Sequence, residues 1–378
     1  MADSNALLPN GMMDNMPDDA EREAAACEKL RTIFARFGYR LVNPPLLEFE
    51  ETLLAEGAGQ ALSTNTFRLM DPISQRMMAL RSDTTAQIAR ITSSRLKDTV
   101  RPLRLSYITD VLRIRSTQLR PERQFRQAGC EIVGPLSTAA TEIALMALIS
   151  LHECGVKNIS IDFTAPEILK ILAAGQKQDE IIKASQRRDR AVFSKLGNIG
   201  KILIVLDEMS GPATEFITKK KNLKLPSTVT KILDQLEFVI KDLQKALKAY
   251  GVENNVTITV DALEARGFEY QSFPCFTLFA KGIMGELGRG GSYMSQFGQD
   301  KEMACGFTLY MDSVLRALPK KTRKKMVAVS EIVGWSEIQE LQEKGWNVIR
   351  SSVKDFKKKN FVSYVTHIYQ NGKLEEIK

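Results

Sequence analysis

A chain of 378 residues, 44% hydrophobic and 26% charged, has room for two or three structural units and is too apolar for a disordered or fibrous protein. No run of about 18 apolar residues occurs, and the opening MADSNALLPNGMMDNMPDD lacks the basic and apolar regions of a secretory signal, so a soluble cytoplasmic protein with no membrane partner is expected. The net charge is +8, but residues 319–378 hold 13 basic and 7 acidic side chains and supply +6 of it; this balance alone does not separate a polyanion-binding tail from a solvated edge.

Residues 17–38 open with Pro and acids and carry Ala24, Cys27, Leu30, Ile33 and Phe34 at helical spacing, which predicts an amphipathic helix closed by Gly38. Tyr39–Val42 reads as a short strand, and Pro44-Pro45 makes a rigid, extended exit. Residues 66–83 alternate around the turn Asp71-Pro72-Ile73-Ser74, a hairpin pattern, and a helix follows from Thr84. Strands are expected at 103–115, 124–134, 157–163, 256–260, 273–280 and 304–310, with a helix across 138–154. Residues 165–250 are helical in period and rich in Lys, Glu, Gln and Leu, as in a helical insertion. After Pro319 the run KKTRKK reads as a linker to a strand, helix, strand pattern, a basic α/β appendage over 319–378. The simplest assembly is an α+β fold with a mostly antiparallel sheet flanked by helices in 1–318.

The usual catalytic constellations are scarce. The five cysteines (Cys27, Cys130, Cys154, Cys275, Cys305) form no CxxC pair, so no disulfide framework and no metal site is expected. The two histidines, His152 and His367, fall in a helical pattern and in the tail, which suits neither a triad nor a metal centre. GRGGS at 288–292 lacks the GK[ST] ending of a phosphate loop and reads as a tight turn between strands.

Five blocks are more specific: LRSDTTAQIAR (80–90), VLRIRSTQLRPERQFRQAGCEIVG (111–134), EARGFEYQ (264–271), RGGSYMSQFG (289–298) and ACGFTLYMDSVLRAL (304–318). In this order they resemble the core of class II histidyl-tRNA synthetases across about residues 8–318, and GYRLVNPPLLE (38–48) matches the first class II motif, the dimer-forming segment of that family. The resemblance implies the class II synthetase-like antiparallel sheet. It also implies a histidine pocket in which Asp83, Thr85 and Gln127 meet the α-amino group, Glu131, Gln271 and Tyr293 meet the imidazole, and Arg266 meets the carboxylate, with Tyr270 kept beside the changed position. Asp83 is a methylene shorter than the family's Glu, and Gln271 stands for one of two tyrosines.

The nucleotide positions depart further from that family. Arg113 matches the arginine that grips the ATP α-phosphate, but the adenine-reading Glu has become Arg115, for which Glu131 is a candidate ion-pair partner. Ser313 replaces the arginine of the third motif and Tyr310 replaces a glycine. Losing a phosphate clamp and reversing the charge at the adenine contact remove several kcal/mol of nucleotide stabilisation, about the scale of one such donor in other sites. About 60 residues after Pro319 are also too few for the family's anticodon-binding domain. The combination resembles the regulatory subunits of ATP phosphoribosyltransferase, synthetase paralogues of histidine biosynthesis. That resemblance implies no catalytic residues and no cofactor of the chain's own. It implies a homodimer within a hetero-oligomer, a hetero-octamer in that family, formed with a short-form catalytic subunit to which PRPP, ATP and magnesium belong, and histidine as effector. The competing readings are a divergent histidyl-tRNA synthetase and a tRNA-binding paralogue.

Overall fold

The computed structural model describes the chain except residues 1–6, 56, 117–119, 175–177, 222, 265–270, 320–324, 353–355, 357–364, 371 and 378. Two compact units result, Met1–Leu318 and Pro319–Lys378.

The first unit is organised by strands β1 (Arg40–Leu41), β2 (Leu47–Phe49), β3 (Arg68–Met70), β4 (Met77–Leu80), β5 (Leu103–Leu112), β6 (Gln124–Val133), β7 (Ile159–Thr164), β8 (Gly211–Pro212), β9 (Val256–Asp261), β10 (Gln271–Ala280), β11 (Gly288–Phe297) and β12 (Asp300–Tyr310). Nine of them form one sheet in the order β1-β5-β6-β12-β11-β10-β7-β9-β8, and β2-β4-β3 form a small second sheet. Only the β1–β5 and β7–β9 neighbours run parallel. The long antiparallel run from β5 through β6, β12, β11 and β10 to β7 is the platform of the unit.

Helix Pro17–Arg36 begins with Pro at its first turn, where the missing N–H costs nothing, and with Asp18 and Asp19 where the helix dipole favours acid. It buries Cys27, Leu30, Ile33 and Phe34 as the spacing predicts, with Ala26 rather than Ala24 on the inner face. Helix Ala139–Cys154 is apolar nearly all round: every residue from Ile143 to Leu151 is buried, so it lies within the core instead of on its surface. The helices of 166–249 do not stand apart. Leu203, Phe216, Leu236 and Leu243 belong to the same continuous core as Met146 and Phe307, and the longest of these helices, Ser227–Ala249, packs on helix Ala139–Cys154.

One expectation fails here. GRGGS is not a turn: all five residues lie inside β11, paired with β10 and β12. Glycine is a poor strand former but is used where something approaches the backbone closely. A Cβ on Gly290 would overlap the Phe276 ring, which lies across the strand.

The second unit contains β13 (Met326–Ser330), helix Trp335–Glu343 and β14 (Asn347–Ser351), as read from the sequence. It also contains β15 (His367–Gln370) and β16 (Lys373–Glu376), which the sequence reading missed. The order is β14-β13-β15-β16, with the first three strands parallel. The KKTRKK run falls almost wholly outside the described residues. No helix among the described residues is long and apolar enough to cross a membrane.

Candidate functional site

Strand alternation sets the site. Thr109 on β5 and Gln127, Gly129 and Glu131 on β6 share one face of the platform, and the loop after β4 together with helix Thr85–Ser93 lies over it. Register on the far side brings Glu131 opposite Gly306 of β12. A Cβ on Gly306 would occupy the Glu131 carboxylate, so this glycine makes the space for the acid. Tyr293 of β11 then reaches across it.

The resulting cluster is continuous. Asp83 Oδ1 accepts the Thr85 backbone N–H at 2.9 Å, and Oδ2 accepts Gln127 Nε2 at 3.0 Å. Gln127 Oε1 accepts the Thr84 N–H and hydroxyl, each at 3.2 Å, and the Thr84 and Thr109 hydroxyls lie 2.8 Å apart. Thr85 Oγ1 donates to Glu131 Oε1 at 3.3 Å, and the Tyr293 hydroxyl donates to Glu131 Oε2 at 3.0 Å. Asp83, Thr85, Gln127, Glu131 and Tyr293 are all buried. Desolvation pushes the Glu131 carboxyl up to about 8, aided by the nearby Asp83 charge and opposed by the bonds from Tyr293 and Thr85. Glu131 therefore keeps its proton at neutral pH. The suggested pairing of Glu131 with Arg115 does not form: Arg115 is exposed, with its backbone N–H on Asn65 Oδ1 at 3.0 Å, because it lies beyond the end of β5 at Leu112 whereas Glu131 sits opposite Leu105 near the other end of that strand.

Arg113 joins this cluster to the other end of the platform. Its Nη2 lies 4.0 Å from Asp83 Oδ2, its Nε donates to the Ser82 carbonyl at 3.3 Å, and its guanidinium sits 4.9 Å from the centre of the Phe125 ring. Phe125 meets Tyr310 edge-on at 5.9 Å, and the Arg120 guanidinium lies 3.6 Å from the centre of the Tyr310 ring. Ser313 is buried and accepts from Arg316 Nη2 at 2.9 Å. Side chains thus fill the region of Arg113, Tyr310 and Ser313.

Of the remaining residues singled out in the sequence, Gln271 starts β10 with its backbone directly opposite Tyr293, while Arg266 and Tyr270 lie outside the described residues. Sequence reasoning missed Thr84, Thr109 and Gly306. It also missed the tie to the first motif: Arg81 Nη1 donates to the Pro44 carbonyl at 2.8 Å and Gln87 Nε2 to that of Pro45 at 2.7 Å. Arg81 and Gln87 flank Asp83 and Thr85 in LRSDTTAQ, which was the available signal.

Comparison with known proteins decides the family. The histidyl-tRNA synthetase family model matches residues 11–314. The chain is 40% identical to the ATP phosphoribosyltransferase regulatory subunit of Rhodospirillum centenum, over 99% of this chain and 97% of that one. It is 42% identical to the subunit of the same name from Paramagnetospirillum magneticum, over 91% and 90%. The chain belongs to the ATP phosphoribosyltransferase regulatory subunit family. Among solved structures, a regulatory subunit/histidyl-tRNA synthetase from Bacillus halodurans aligns over 97% of this chain and 98% of its own with a TM-score of 0.78 at 21% identity. A histidyl-tRNA synthetase from Nostoc aligns over 97% and 91% with a TM-score of 0.75 at 18% identity. The fold of this regulatory-subunit family member is therefore the class II synthetase fold, and its polar cluster lies on the synthetase-like platform.

Proposed function

We propose that the chain does no chemistry of its own and acts as the subunit that a short-form ATP phosphoribosyltransferase catalytic subunit requires for activity and for feedback inhibition by histidine. The observation that carries this reading is the contrast within one platform: an intact web of Asp83, Thr85, Gln127, Glu131 and Tyr293 beside a region packed with Arg113, Arg120, Phe125 and Tyr310. The web has the chemistry to hold histidine. Asp83 offers a carboxylate with lone pairs beyond those used by Thr85 and Gln127, suited to an α-ammonium. Glu131, protonated at neutral pH, can donate to a neutral imidazole nitrogen, which avoids placing a bare charge in a buried site. Arg266 is assigned the histidine carboxylate, and Tyr270 and Gln271 border the ring, on the resemblance alone.

In this assignment PRPP, ATP and magnesium belong to the catalytic subunit, and the cytoplasm is the compartment. The chain forms a homodimer through the Pro44-Pro45 segment inside a hetero-oligomer, a hetero-octamer by family resemblance. The bonds from Arg81 and Gln87 to Pro44 and Pro45 give a short physical route between the histidine web and that segment. A ligand shifts an assembly only by its differential affinity for two states, so weakened histidine binding must weaken inhibition equally. Co-expression with a short-form catalytic subunit, followed by sizing and assay with and without histidine, tests the reading. Arg266→Ala should remove a charge-assisted bond of about 1.5–3 kcal/mol, raising the histidine needed for inhibition by about 10- to 150-fold. If Arg266→Ala, Glu131→Ala and Asp83→Ala complexes assemble and respond to histidine like the parent, the effector does not bind in this web.

A further inference from the structure

The sheet face opposite the histidine web carries a cleft of about 570 Å³. Asp110 and Arg126 are the immediate neighbours of Thr109 and Gln127, so they project from the other side of β5 and β6. Helix Pro17–Arg36, the segment around Asp14 and helix Met311–Ala317 close the cleft around them.

Its charges do not balance. Arg126 is committed to Asp110 through bonds of 2.9 and 3.2 Å, Arg22 to Asp19 at 2.8 Å, and Arg316 to Glu122 at 2.9 Å. Asp312 shares Arg316 with Glu122 and also meets Arg120, each at 3.6 Å, while Asp14 and Glu23 have no ion pair among the described residues; the nine charged residues of the lining sum to −3, six acids against three arginines. Burial holds the Glu23 and Asp312 carboxyls above the usual carboxylate range, against the pull of Arg126 on Glu23 and of Arg120 on Asp312, with smaller upward pushes from Asp110 and Glu122.

Hydrogen bonding is incomplete in the same place. The Asp312 side chain is 7% exposed, and its Oδ1 has no hydrogen-bond partner among the described residues. Its other oxygen stands 3.6 Å from both Arg120 Nε and Arg316 Nη2. Glu122 Oε2 is likewise buried without a partner, and so is one donor, Arg22 Nε. Native proteins rarely leave buried polar atoms unmatched, because each has given up its hydration without a replacement partner. Two acceptors on carboxylates, one donor on a guanidinium and a surplus of negative charge describe the complement of a ligand. That ligand carries a cationic N–H group and, at some distance, an acceptor. Met13 and Leu315 supply apolar surface for methylenes between them.

We propose that this cleft is a second small-molecule site that binds a free basic amino acid, its side-chain cation on Glu122 and Asp312 and its carboxylate toward Arg22. A volume of several hundred Å³ suits such a molecule with bound water. The carboxylates are not placed as metal ligands: among the described residues no group of three or more His, Cys, Asp or Glu side chains is arranged to hold a metal ion.

Calorimetric titration of the full chain with L-lysine and with L-arginine, each with and without excess L-histidine, tests this. At least one should bind, unaffected by histidine, and putrescine, which has no carboxylate, should bind more weakly. Asp312→Asn and Glu122→Gln keep shape and remove charge. Each should weaken the interaction by about tenfold or more, as the loss of one charge-assisted bond implies, while histidine affinity stays that of the parent. The proposal is overturned if neither amino acid binds the parent at millimolar concentration. It is equally overturned if both variants, shown to be folded by an unchanged thermal transition, bind as the parent does, or if histidine competes for the same site.

Discussion

The two ends of the platform have the same strands beneath them and opposite contents. Toward β11, Glu131 and Tyr293 face each other over Gly306, and Thr85, Asp83 and Gln127 complete a chain in which every link is a side-chain or backbone hydrogen bond. Toward the ends of β5 and β12, the equivalent surface is covered by Phe125, Tyr310, Arg113 and Arg120 stacked on one another. A hydrogen-bonded web keeps a site because removing one member strands its buried partners. A stack of rings and guanidinium groups is held instead by apolar area and cation–π attraction. Under the proposed function, selection for an amino-acid ligand at one end, without selection for a nucleotide at the other, accounts for both.

The largest expected departure between the two ends is in pH dependence. Glu131 holds its proton to about 8 in the folded chain and releases it near 4.5 when unfolded. Between these values the unfolded state binds fewer protons, so stability falls as pH rises across that window, by up to about 1.4 kcal/mol per pH unit. Denaturant melts of Glu131→Gln against the parent from pH 5 to 8 should show the parent losing a few kcal/mol relative to the variant. Parallel curves would mean that the acid is not buried as described.

Next in size is Gly306→Ala. The added methyl meets the Glu131 carboxylate and must displace it, which should cost about 1–3 kcal/mol and abolish histidine binding, read by thermal shift and calorimetry. The smallest is Tyr293→Phe. It removes a single donor to Glu131 Oε2 and should cost about 0.5–1.5 kcal/mol while raising the Glu131 titration further, visible as a later break in the pH–stability curve.

The ends also differ in how far the sequence exposed them. Asp83, Thr85, Gln127 and Glu131 sit in two blocks that resemble the synthetases closely enough to be matched residue by residue, and the structure brings them together. Tyr310 and Ser313 were readable as departures, but the stack that now fills the space was not, because it needs the tertiary approach of Arg120 and Phe125. GRGGS misled for a related reason. Glycine carries turn propensity in a local reading, and only the ring of Phe276 above Gly290 shows why a strand should lack side chains there. β15 and β16 were missed in a short, Lys-rich tail, where strand pairing depends on register with β13 more than on local pattern. Arg115 and Glu131 are complementary in charge but lie at opposite ends of β5, a separation that only the register of β5 with β6 reveals.

The most direct test of the contrast is a pair of calorimetric titrations on the intact chain, one with histidine and one with ATP and magnesium. A retained amino-acid web beside a filled nucleotide region predicts saturable binding of histidine and no heat of binding from ATP in its presence or absence. Saturable ATP binding accompanied by histidine-dependent pyrophosphate exchange would contradict it.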